Sequence, residues 1–182
     1  MYEIRYELQA LAADQSRTAR RDCLTGLGNR LAWDEALTGA QRNVDAGDSV
    51  TVVSVDVDGL KQVNDTRGHE AGDGLLRRCA EVLREHGRPS DVAVRLGGDE
   101  FALLLPLPGH LVEGRLASLR DRLGGVTSSE RTVAASVGAA TAQPFGSVAD
   151  AAREADAAMY LAKRARRTVQ QPRRAADAQP PG

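Results

Sequence analysis

The sequence predicts an α/β chain of the α+β kind, with a mostly antiparallel central sheet covered by helices and a further helix at the N-terminus. Three observations carry that expectation. Thr51 to Asp58, TVVSVDVD, sets Val53, Val55 and Val57 on one face and Ser54, Asp56 and Asp58 on the other, the two-residue period of a strand. Val92–Leu96 and Phe101–Leu105 are strand-like runs joined by Gly97-Gly98-Asp99-Glu100, a glycine-led hairpin. Between them, Ala71, Leu75, Cys79, Val82 and Leu83 recur at helical spacing until Gly87 and Pro89 stop the run. The full order reads helix, helix, strand, helix, strand, strand, helix, strand, helix.

In chain order, Met1, Ile4, Leu8 and Leu11 fall on alternating three and four spacings that continue through Gln15 and Thr18, a fading a/d seam over residues 1–20. It fits two readings: an amphipathic helix packed on its own domain, or the end of a parallel coiled coil leading from an upstream sensor domain. Arg21 to Arg30 is a structured turn, and a helix runs from Leu31 to Asp45. Gly59 to Asp65 reads as a short connection whose amides could cradle an anion. A helix is expected over Leu111–Leu123, a strand over Thr132–Thr141 and a last helix over Val148–Arg167. Ser147 followed by Asp150 resembles a capping box at the start of that helix, with Asp in place of Glu or Gln. The folded unit is placed at 21–168, and residues 169–182, rich in Pro, Arg, Ala and Gln, read as a loose tail.

Of the 182 residues, 42% are apolar and 27% charged, the balance of a water-soluble globular chain. No apolar run approaches the ~20 residues that span a bilayer, and the start lacks the pattern of a secretory signal, so a cytoplasmic location is expected. A net charge of −1 argues against nucleic acid as partner. Cys23 and Cys79 lack metal-site spacing and read as ordinary thiols.

The chemistry gathers around acids. Asp56 and Asp58 end a strand and Asp99 and Glu100 tip a hairpin, so the four would meet if those strands are neighbours. Hard oxygen ligands of this kind suit Mg²⁺, which keeps waters and substrate phosphates in its shell. The plainer reading makes them solvated turn residues. Gly97 and Gly98 can take positive φ and expose backbone to a phosphate, Lys61 adds a nearby positive charge, and Lys163 and Arg167 share a helix face with Tyr160.

The segments DCLTGLGNR, DVDGLKQVNDTRGHEAGD, RLGGDEF and ADAAMYLAKRARR, in this order and spacing, closely resemble the signature blocks of the bacterial GGDEF diguanylate cyclases. The resemblance implies a fold like the palm of class III nucleotidyl cyclases and condensation of two GTP into cyclic di-GMP. Two Mg²⁺ or Mn²⁺ ions per half-site would be held by Asp56, the Val57 carbonyl, Asp99 and Glu100. Asp99 would accept the proton, and Lys61 would stabilise transition-state charge. Asn64 and Asp73 would bind guanine. Lys61, Lys163 and Arg167 would contact the triphosphate, with Gly97 and Gly98 beside it. One GTP per domain implies a homodimer. Arg88 and Asp91 fit the family's RxxD product-inhibition site, against the alternative of a surface ion pair. Gly59-Leu60 stands where many members carry aromatic or other apolar residues. A silent domain that only binds GTP or cyclic di-GMP, and a dimerisation module built on residues 1–20, are the competing readings.

Overall fold

In the computed structural model, residues 18–128, 131–132 and 134–170 are described. The strand predicted from valine alternation is β1, Val50–Val57, and it lies second from one edge of a four-stranded sheet ordered β2-β3-β1-β6. The others are β2 (Val92–Gly97), β3 (Glu100–Leu105) and β6 (Ala135–Ala142). Each neighbouring pair runs antiparallel.

Helices cover both faces, so every residue of β1 is buried. Val53, Val55 and Val57 face one core with Phe101 and Leu103, beneath Leu75 and Leu83 of α3 (His69–His86) and Leu116 and Leu119 of α4 (Glu113–Gly124). Val50 and Val52 face the other core with Trp33 and Val44 of α1 (Arg30–Asp45) and Ala151 and Ala155 of α5 (Val148–Gln170). Burial pushes the Cys79 thiol up to about 12, which fits a packed, unreactive residue.

Caps and glycines place the elements. Asn29 accepts from the Ala32 amide at 3.2 Å at the start of α1, and Ser147 accepts from the Asp150 amide at 3.1 Å at the start of α5. At Gly138 of β6 an added Cβ would lie 2.1 Å from the Met159 nitrogen and 2.2 Å from the Ala155 carbonyl, so α5 rests directly on the strand backbone.

The structure departs from expectation in four places. Gly59 to Asp65 is mostly helical: α2 spans Leu60–Arg67, because Leu60, Lys61 and Gln62 are good helix formers and Gly59 (φ 81°) and Gly68 (φ 83°) turn the chain at each end. The strand expected over Thr132–Thr141 divides into β5 (Arg131–Thr132), paired with β4 (Thr127–Ser128), and β6, whose pairing with β1 begins where Ala135 meets Val57. A 3₁₀ turn, Gly109–Leu111, precedes α4. The last helix runs on to Gln170, so residues 169–170, expected in the tail, belong to α5; the expected helix over 1–20, save residues 18–20, and positions 171–182 lie outside the described residues. Among the described residues no helix is long and apolar enough to cross a membrane.

Candidate active site

Antiparallel pairing of β1 with β3 sets Asp56 opposite Glu100 and lets the Val57 amide donate to the Asp99 carbonyl at 3.0 Å. The two acid pairs therefore meet, as the hairpin reading required. Asp99 is half-buried and Glu100 exposed. On the other side β6 sets Ser136 opposite Asp56, and the Ser136 hydroxyl donates to Asp58 at 3.0 Å.

Asp56 is only 4% exposed, and a carboxylate at that depth needs a partner. Lys163 of α5 supplies one, donating Nζ to Oδ2 at 2.6 Å. The other oxygen, Oδ1, is buried and has no hydrogen-bond partner. Asp58 sits beside this pair, and Arg166 Nη1 lies 3.8 Å from its Oδ2. Burial pushes the Asp58 carboxyl above its usual range; the Ser136 hydrogen bond opposes that, and the Asp56 charge adds to it.

Asp58, Lys163 and Arg166 border a pocket of about 460 Å³, with Asp56 buried behind Lys163 and outside its lining. Asp58, Asp65 and Asp99 line it together with Lys61, Lys163, Arg166 and Arg167. Four cations around so small a volume suit a polyphosphate. An orphaned buried carboxylate oxygen beside a second acid suits a hard divalent cation that takes its remaining ligands from water and phosphate. Among the described residues no three His, Cys, Asp or Glu side chains are grouped so that they alone could hold a metal ion.

The hairpin tip is held from behind. Gly97 (φ 147°) and Gly98 (φ 53°) occupy backbone regions that favour glycine, and an added Cβ at either would meet nothing within 4 Å, so backbone conformation sets the requirement there. Arg95 donates Nη2 to the Gly98 carbonyl at 2.8 Å and Nη1 to both Asp22 oxygens at 3.3 Å. The tip is thus tied to the Arg21–Arg30 turn. Gly28 of that turn donates to the Ala93 carbonyl at 3.1 Å and its carbonyl accepts from the Arg95 amide at 2.8 Å.

Asn64 and Asp73 do not line the pocket; they stand on α2 and α3. A Cβ on Gly72 would fall 1.9 Å from Asn64 Oδ1, so the residue before Asp73 gives Asn64 its space. That Oδ1 is buried without a partner. Arg88 and Asp91 are not paired side chain to side chain. Asp91 Oδ2 accepts from the Arg88 amide at 2.7 Å and from Arg115 Nη2 at 2.6 Å, while the Arg88 side chain is exposed. Both residues line a second pocket of about 660 Å³ with Arg20, Arg21 and Arg84.

Arg166, Asp65, Ser136, Arg95 and Arg115 did not emerge from the sequence. Arg166 had a signal, since it follows Lys163 by three positions on one helix. The others depend on strand pairing and helix docking.

The comparisons with known proteins bear on the family and the fold. The family model described as "Diguanylate cyclase, GGDEF domain" matches residues 19–169. An uncharacterized protein in the hutH 5′ region of Streptomyces griseus is 45% identical over 158 residues, 82% of this chain and 64% of its own length. Diguanylate cyclase DgcN of Escherichia coli is 43% identical over 105 residues, 58% of this chain and 26% of its own length. The chain thus spans under two thirds of the length of these curated relatives. The crystal structure of the coiled coil and GGDEF domain of DgcB from Caulobacter crescentus, in complex with c-di-GMP, superposes with a TM-score of 0.82 at 29% identity, covering 90% of this chain and 91% of that one. The helix-covered antiparallel sheet is the palm-like fold of such domains. A family match across the body of the chain, on a fold that superposes with solved GGDEF domains, establishes that this chain belongs to the GGDEF family, the diguanylate cyclase domain.

Proposed function

We propose that this chain condenses two GTP molecules into cyclic di-GMP and two pyrophosphates, by metal-assisted attack of each 3′-hydroxyl on the opposite α-phosphate across a homodimer. The observation that carries the reading is Asp56, deeply buried with an orphaned oxygen and bonded to Lys163, which lines a pocket together with Asp99, Lys61, Arg166 and Arg167. Asp56, the Val57 carbonyl, Asp99 and Glu100 hold Mg²⁺ or Mn²⁺, two ions per half-site. When bound, the metals lower the pKa of the hydroxyl and neutralise charge on the phosphates. The chain's own groups do the rest. Asp99 accepts the hydroxyl proton, and Lys61 stabilises charge at the phosphorus in the transition state. Lys163 and Arg167 hold the triphosphate against Gly97 and Gly98. Asn64 and Asp73 pair with the guanine edge, and the unpartnered Asn64 Oδ1 is a group that a ligand donor would satisfy.

The cyclase unit is residues 21–168, with 1–20 an N-terminal helix that either packs on it or serves as a coiled-coil signalling linker. Cyclic di-GMP binds at Arg88 and Asp91 as an inhibitor. The c-di-GMP complex of DgcB supports a product role for this ligand chemistry in so similar a fold. The test is incubation of the chain with GTP and Mg²⁺, followed by chromatography and pyrophosphate release. Cyclic di-GMP and pyrophosphate are expected in a one-to-two ratio. GTP binding without either product would instead select the silent binding domain.

A further inference from the structure

Asp56 and Lys163 form the most deeply buried ion pair at the pocket, their side chains 5% and 20% exposed. Breaking such a pair strands an uncompensated charge, so whatever takes Asp56 must also provide for Lys163. A divalent cation binds carboxylate oxygen directly, at about 2.0–2.1 Å for Mg²⁺. An ammonium held 2.6 Å from the same carboxylate would repel it. The acid nearest to the pair, Asp58, already feels the Lys163 charge but is shared with Ser136 and Arg166, so it is a poorer partner than Asp56 for a displaced ammonium. Lys163 does line the pocket, and its four-carbon stem lets the point charge swing within it.

We propose that Lys163 and the divalent cation are rivals for Asp56, and that a bound triphosphate settles the contest by giving the displaced ammonium a new partner. The inference rests on the reading of Asp56 as a metal ligand. Metal and nucleotide then bind with positive linkage, each raising the affinity of the other. Lys163 is in this sense a gatekeeper of the metal site as well as a phosphate ligand, and a free divalent cation alone binds weakly.

The test is Mn²⁺ binding to the full chain without nucleotide, followed by electron paramagnetic resonance. Lys163→Met is expected to bind Mn²⁺ about tenfold or more tighter than the wild type, within the usual range of coupling between sites. Arg167→Met, which removes a charge from the same pocket without touching Asp56, is expected to change affinity far less. Equal affinity in wild type and Lys163→Met, or equal gains in the two variants, overturns the rivalry. The double variant Lys163→Met with Asp56→Asn is expected to lose the site; retained binding there would instead overturn the metal assignment, a separate failure. Should Lys163→Met not fold, Lys163→Gln is read in the same way.

Discussion

Asp22 ties together two segments far apart in the chain. It accepts from the Thr25 amide at 2.9 Å and hydroxyl at 2.6 Å, and from Arg95, which in turn holds the hairpin tip. Burial is the largest single influence on its carboxyl and acts upward, but the Thr25 and Arg95 contacts together outweigh it and hold the group below its usual range. A depressed folded-state pKa means that the charged form contributes stability above the unfolded value, and that this is lost as pH falls through the folded value. Asp22→Asn should therefore cost about 1.5–3 kcal/mol at neutral pH, the range for hydrogen bonds to a charged group. The gap to wild type should close below about pH 4, checked by denaturant melts across pH. Asp99 offers the opposite case. Its fold contribution is a backbone carbonyl bonded to Val57, which Asp99→Asn keeps. Stability should stay within about 0.5 kcal/mol, while turnover of GTP drops by about 10²–10⁴-fold. Wild-type turnover in that variant would sink the role given to Asp99.

Among the elements, α5 decides the site. It carries Lys163, Arg166 and Arg167, and it reaches Asp56 only because Gly138 lets it lie on β6. Gly138→Ala would press a methyl into backbone atoms of Ala155 and Met159, which cannot swing aside. The expected cost is about 3 kcal/mol, the upper end for overpacking, together with a raised KM for GTP as the helix lifts. Thermal melts and steady-state kinetics check both, and a wild-type melting temperature would refute the packing argument. Gly39, inside α1, meets nothing within 4 Å, so Gly39→Ala should instead stabilise by about 0.5–1 kcal/mol. The two glycines look alike in sequence and differ only in what lies opposite. The helix α2 was likewise missed, because a loop and an eight-residue helix between glycines share one composition.

For the whole molecule, the product site proposed at the second pocket can be tested through Arg88. Asp91 is a poor probe of it, because removing its carboxylate would take from Arg115, whose side chain is 12% exposed, its one charged partner among the described residues and leave it the His86 carbonyl alone. Arg88 is exposed and its side chain can be cut without that penalty. With cyclic di-GMP added at fixed GTP, initial rates of Arg88→Ala should resist inhibition that slows the wild type. Equal sensitivity in the two proteins would reject the product site. If the proposed assignments hold, with substrate at one pocket and product at the other, accumulated product would restrain turnover from a separate site.

The local signals were legible because they depend on near neighbours. Valine alternation in β1, the positive φ of Gly97 and Gly98 and the Ser147 cap follow from side-chain period and backbone sterics within a few residues. The meeting of Asp56 with Asp99 and Glu100 was legible only on the condition that their strands pair, which the order β2-β3-β1-β6 meets. Tertiary structure alone decided that Asp56 is buried and bonded to Lys163, that Asp91 answers Arg115 rather than the Arg88 side chain, and that Arg166 joins the pocket. Burial and pairing depend on which helix lies over which strand, and period along one chain does not encode lateral placement.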